Sequence, residues 1–69
     1  MKWIEILKEG SYALLQDENN TQYVVARGYN REAPENNQWI YGTYFGYYEN
    51  DKKAECLNDA LEYYLRNRR

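Results

Sequence analysis

Sixty-nine residues make one domain, 1–69, with a single small core, and at this size only about 60% of the unfolded chain's surface is buried on folding. Aromatic residues make up 17% of the chain, nine of them tyrosines, and the mean hydropathy is -1.06; this composition excludes a disordered acidic tail, because tyrosine fills a core while its hydroxyl reaches water. The formal charge is -2, but Arg66, Arg68 and Arg69 close the chain, so residues 1–65 hold eleven acidic against six basic side chains, a body that favours basic partners and repels phosphate backbones.

In chain order, Trp3-Ile4-Glu5-Ile6-Leu7 fits either a strand or a short helix before Gly10. Its β-branched and aromatic content favours the strand. Tyr12 to Gln16 reads as a second strand, Asp17-Glu18-Asn19-Asn20 as a turn, and Thr21 to Ala26 as a third strand. Residues 27–38 form a polar connection with Gly28, Pro34 and paired asparagines, longer than the usual hairpin loop of about two to five residues. Such a loop is either functional or a plain exposed insertion.

Trp39 to Tyr48 is the fourth strand and the main functional clue. Six of its ten residues are aromatic and none is charged. Period-two alternation puts Trp39, Tyr41, Phe45 and Tyr47 on one face and Ile40, Tyr44 and Tyr48 on the other. Gly42 and Gly46 share the second face, which predicts that a helix approaches there. Asn50 or Asp51 caps the final element, and Ala54, Leu57, Leu61, Tyr64 and Leu65 recur at helical spacing as its apolar stripe. The predicted fold is α+β: a three- to four-stranded antiparallel sheet with one C-terminal helix packed on one face.

Enzyme chemistry lacks its usual parts. There is no histidine to act as general base or metal ligand, and one cysteine, Cys56, cannot build a zinc finger. Cys56 lies among apolar helix positions and is expected to be a buried, inert thiol. No catalytic residues, metal or cofactor are expected. A lone cysteine and the absence of a leader or an apolar span suggest a cytoplasmic protein with no membrane.

The chain is therefore expected to be a non-enzymatic small acidic interaction protein. It would bind a protein with a basic surface through exposed aromatics and acidic side chains: Tyr29, Trp39, Tyr41, Tyr47, Asp17 and Glu18. An aromatic strand without cations suits protein better than nucleic acid, whose stacking platforms carry neighbouring positive charge. The alternative is an RNA- or DNA-binding module using Arg27, Arg31, Lys52, Lys53 and the C-terminal arginines. A homodimer through the aromatic face is a third reading.

Lys52-Lys53-Ala54, followed by Ala60-Leu61, resembles the double-stranded-RNA-binding fold, in which a Lys-Lys pair opens the last helix. The likeness covers element order and that dipeptide, while Glu55 and the acidic body depart from the pattern. The order of elements is also similar to arm-type three-strand DNA-binding domains, which read DNA with polar or basic strand residues where this chain has Tyr and Gly. In size, charge and composition, the whole chain resembles small acidic regulators or inhibitors of bacterial mobile elements and phages.

Overall fold

The computed structural model describes residues 2–19, 21–46 and 53–68, with side chains in the helix described from residue 55 onward. Four strands, β1 (Trp3–Glu9), β2 (Tyr12–Asp17), β3 (Gln22–Arg27) and β4 (Tyr41–Gly46), form an antiparallel meander in sequence order. Helix α1 (Lys53–Arg66) packs across β2, β3 and β4. This is the expected α+β architecture. The expected N-cap at Asn50 or Asp51, and Tyr47 and Tyr48, lie outside the described residues.

The first segment is a strand, and it carries a bulge. Glu5 pairs with Leu15 and Leu7 with Leu14, so Ile6 is an extra residue. The slip reverses the alternation after it. Glu9 thereby lands beside Tyr12 on the helix side of the sheet, where its carboxylate meets α1. The β1–β2 connection needs only Gly10 and Ser11, and Gly10 supplies the positive φ of 62° that such a tight turn demands.

At the other end of that hairpin, Asp17 closes the β2–β3 connection. Its carboxylate accepts the Thr21 backbone N–H at 2.7 Å, the Thr21 hydroxyl and, at 3.4 Å, the Gln22 N–H. Burial alone would raise this carboxyl's pKa, but the hydrogen bonds from Thr21 and Gln22 outweigh it and hold the group below its ordinary value.

On the helix face, Tyr12, Leu14, Tyr23 and Val25 pack against Ala60 and Tyr64, with Phe45, Cys56, Leu57, Leu61 and Tyr63 around them. Tyr12 and Tyr64 stack with centroids 4.5 Å apart, and the Tyr12 hydroxyl donates to the Tyr64 carbonyl at 2.8 Å. The Tyr64 hydroxyl donates to Glu9 at 2.6 Å.

Two expectations about this interface are corrected. The helix covers the face bearing Phe45 and Thr43, not the Gly42 and Gly46 face: Tyr63 packs on Phe45 and meets the Thr43 hydroxyl at 3.2 Å. The helix is also rotated from its expected stripe, so that Leu65 is 54% exposed and Ala60 is buried. Tyr63 and Tyr64 are the reason: their large rings take the contact positions, and adjacent residues lie about 100° apart around a helix. Cys56 is half-buried rather than buried, with its thiol donating to the Gly46 carbonyl at 3.1 Å.

Among the described residues no α-helix packs on the opposite face, yet Ala13, Leu15, Val24 and Ala26 are fully buried there. Loop 28–40 supplies the cover. Ala13, Ala26 and Gly42 are successive partners across β2, β3 and β4, which makes a trough of small residues. Tyr29 and Trp39 from the loop, with Trp3 from β1, fill it. A Cβ at Gly42 would sit 2.6 Å from the Trp39 indole nitrogen, so the close approach of that ring requires glycine. The Gly42 face therefore receives a tryptophan where a helix was expected.

Candidate binding recess beside the edge strand

Loop 28–40 is pinned at several points. The Tyr29 N–H donates to the Ser11 carbonyl at 2.8 Å, and the Asn30 N–H to the Gln38 carbonyl at 2.7 Å. The Gln38 amide donates to the carbonyls of Arg31 at 3.0 Å and Ala33 at 3.4 Å. A single 3₁₀ turn, Glu35–Asn37, follows Pro34, whose fixed φ suits the start of a turn. The chain then enters β4 at Tyr41, two residues later than the alternation predicts. Trp39 and Ile40 precede the strand, so Trp39 turns to the loop face, opposite the side expected for it.

Trp39 meets Trp3 edge-to-face, with centroids 5.1 Å apart and planes at 82°. Tyr44 lies 6.3 Å from Trp39 with its plane tilted by 55°. These three rings, with Glu35, Asn36 and Gln38, line a recess of about 500 Å³, within the usual range for ligand sites. At this edge of the sheet Tyr44 is 55% exposed on the recess side, Tyr41 is 72% exposed on the helix side near Thr43 and Tyr63, and Ile40, just before the strand, is 75% exposed. The exposed aromatic surface is thus concentrated at β4, an edge of the sheet.

The candidate residues separate into distinct roles. Tyr41 is exposed on the edge strand, Trp39 is half-buried in the recess, and Tyr47 lies outside the described residues. Tyr29 is buried, not a loop contact: its ring belongs to the core and its hydroxyl donates to Glu5 at 2.8 Å. Burial and that bond push the Tyr29 pKa up to about 12. The same bond, joined by Arg31, holds the Glu5 carboxyl below its ordinary value. Asp17 is fully buried and accepts from Thr21 and Gln22, so the structure gives it a place inside the β2–β3 turn and not on the surface. Glu18 is exposed and accepts the Lys2 N–H at 3.0 Å.

Four of the cations of the alternative reading have partners within the chain, and Arg69 lies outside the described residues. Arg27 lies 4.6 Å over the Tyr12 ring and donates to the Asn67 carbonyl. Arg31 grips Glu5 at 2.7 Å through one nitrogen and at 2.9 Å through another. Arg66 pairs with Glu62 at 3.0 Å, and Arg68 with Glu9 at 3.6 Å. Lys52 and the Lys53 side chain lie outside the described residues.

Sequence reasoning missed Trp3, Glu35, Asn36 and Gln38 as recess residues and put Tyr44 on the helix side. Trp3 and Trp39 are distant in the chain, and no local pattern links them. The alternation of small residues that admits their rings becomes readable only once the strand register is known. Among the described residues no group of His, Cys, Asp and Glu side chains could hold a metal ion, and no helix is long and apolar enough to cross a membrane. No protein family, curated protein or solved structure matches the chain.

Proposed function

We propose that this chain is a stoichiometric binding protein whose partner is a protein with a basic surface, docking on β4 and the adjoining recess. One observation carries the reading: Tyr41 and Tyr44 are exposed on the two faces of the edge strand β4, Ile40 is exposed just before it, and a recess that holds an acidic side chain lies on the Tyr44 side. Exposed tyrosines with an apolar neighbour are the residue types that anchor protein interfaces, and an edge strand adds unpaired backbone groups. The acidic excess of the body steers a basic partner toward it. Regulation or inhibition of that partner is the role this reading assigns.

The nucleic-acid alternative draws less support, because Arg27, Arg31, Arg66 and Arg68 all have partners within the chain. Phosphate binding would compete with those contacts. Affinity capture from the source cells, with the protein and nucleic-acid content of the captured material both measured, tests the two readings. A basic protein should be captured, and Tyr41→Ala should weaken its binding by about 1–4 kcal/mol with the fold intact. Capture of nucleic acid, or a folded Tyr41→Ala variant that binds normally, counts against the docking surface.

A further inference from the structure

Three rings in contact with one another wall the recess at differing angles, and those angles suggest what kind of group lies against them. A planar ligand stacks on one ring or between parallel rings. Here Trp3 and Trp39 stand nearly perpendicular, and Tyr44 is tilted again. Walls at such angles suit a compact, rounded group. Aromatic faces carry the negative end of the ring quadrupole, and cages of Trp and Tyr attract cations, quaternary ammonium above all.

The polar lining has the same preference. Glu35 supplies a carboxylate, and among the described residues no lysine or arginine lines the recess. Gln38 has already committed its amide nitrogen to the Arg31 and Ala33 carbonyls, so what it can offer a ligand is its carbonyl oxygen, an acceptor. Arg31, the arginine of this loop, is tied to Glu5 through Nε and Nη2. Two tryptophans, a tyrosine, a carboxylate, the Gln38 acceptor oxygen and the neutral amide of Asn36 make a site that suits a cation with a largely apolar surface.

We infer that the recess is a cage for an alkylammonium group, either the head of a methylated lysine side chain or a free quaternary amine. The inference rests on the docking reading for a protein as the source of that group, but the cage chemistry stands without it. The chain's two tryptophans both line the recess, so tryptophan emission reports on it directly.

The test is a fluorescence titration of the full chain with choline and with 3,3-dimethylbutan-1-ol, which has the same shape without the charge. Choline should give a saturable change and bind about tenfold more tightly than the alcohol. Equal binding of the two, or no saturable change with choline, overturns the inference. Glu35→Gln and Tyr44→Ala, both exposed positions whose folding circular dichroism can verify, should each weaken choline several-fold. If both bind choline as the parent chain does, the cation sits elsewhere and the cage is wrong. A trimethyllysine peptide in a parallel titration separates the sources. Binding tighter than choline supports the cage with a protein side chain as its ligand, and weaker binding supports the cage with a free amine. Choline binding without capture of any basic protein would defeat the docking reading alone, while capture that depends on Tyr41 without choline binding would defeat the cage alone.

Discussion

The two faces of this sheet are buried to a similar depth by different means. On one, a 14-residue helix lays Ala60, Leu61 and Tyr64 across three strands. On the other, individual rings from a loop and an edge strand fill a trough of small residues. A helix satisfies its own backbone and covers area continuously, whereas a loop must anchor its backbone bond by bond and covers only where a side chain reaches. The loop-covered face therefore keeps the larger of the two recesses described, about 500 Å³ against about 330 Å³ beside Tyr41 and Tyr63 on the helix side. Recognition is proposed there for that reason.

The largest expected effects separate the faces. Tyr64→Ala removes a fully buried ring, its stack on Tyr12 and its bond to Glu9, and should cost about 3–5 kcal/mol, much of this domain's stability. Trp39→Ala removes a half-buried ring and should cost about 2 kcal/mol. Urea unfolding measures both. Hydrogen exchange sharpens the contrast: Trp39→Ala should raise exchange in loop 28–40 and leave α1 protected, while Tyr64→Ala should loosen both faces together. Equal loss of protection everywhere in the Trp39 variant would mean the loop is integral to the cooperative fold.

Each face also contains a tyrosine bonded to a carboxylate, Tyr64 to Glu9 and Tyr29 to Glu5, and the two should fail together in alkali. Both hydroxyls have their pKa pushed up to about 12 from the ordinary 10.0, first by burial and then by the carboxylate bond. The native state therefore holds its protons where the unfolded chain releases them. The stabilisation is complete below pH 10 and is lost as the pH rises toward 12, on the order of 2 kcal/mol per tyrosine. Denaturation measured at pH 9, 10.5 and 11.5 should show this fall, and Tyr29→Phe and Tyr64→Phe should each reduce its slope. An unchanged slope in either variant would remove that tyrosine from the account.

Asp17 gives the opposite sign at the other end of the scale. Its pKa is depressed, so its contribution is present above the unfolded value near 4 and disappears as the pH falls through the folded value. Asp17→Asn keeps an acceptor but loses the charge, and should cost about 1–3 kcal/mol at neutral pH and less in acid. A cost that does not shrink in acid would mean the loss is one of geometry, not charge.

Sheet and helix were legible in the chain because period-two and helical spacing are local, and Val24-Val25 or Leu57 and Leu61 carry them directly. The bulge at Ile6 was not legible, since nothing in Ile-Leu-Lys-Glu marks which residue is the extra one. It decides that Glu9 faces the helix and can take the Tyr64 proton donor. Residues 27–38 read as a polar connection from composition, and Trp39 reads as the start of the next strand. Yet Tyr29 and Trp39 both build a face of the core, because the row Ala13, Ala26 and Gly42 leaves room for large rings. Asp17 reads as a surface acid until its three donors are seen. Local pattern fixed the elements, and long-range register decided which aromatics were cover and which were surface.

The smallest effect tests that distinction within the helix. Leu61 and Leu65 are both apolar, four residues apart, and spacing alone makes them equivalent. The Tyr63–Tyr64 pair rotates α1 so that Leu61 stays half-buried against the core and Leu65 faces out. Leu61→Ala should therefore cost about 2 kcal/mol, at the low end of the range for buried leucine because the side chain is only partly enclosed. Leu65→Ala should stay within about 0.5 kcal/mol, as surface changes do. Parallel urea titrations of the two variants decide it. If Leu65→Ala costs as much as Leu61→Ala, Leu65 has an apolar contact in solution, and the concentration dependence of its unfolding midpoint will say whether a second copy of the chain provides it.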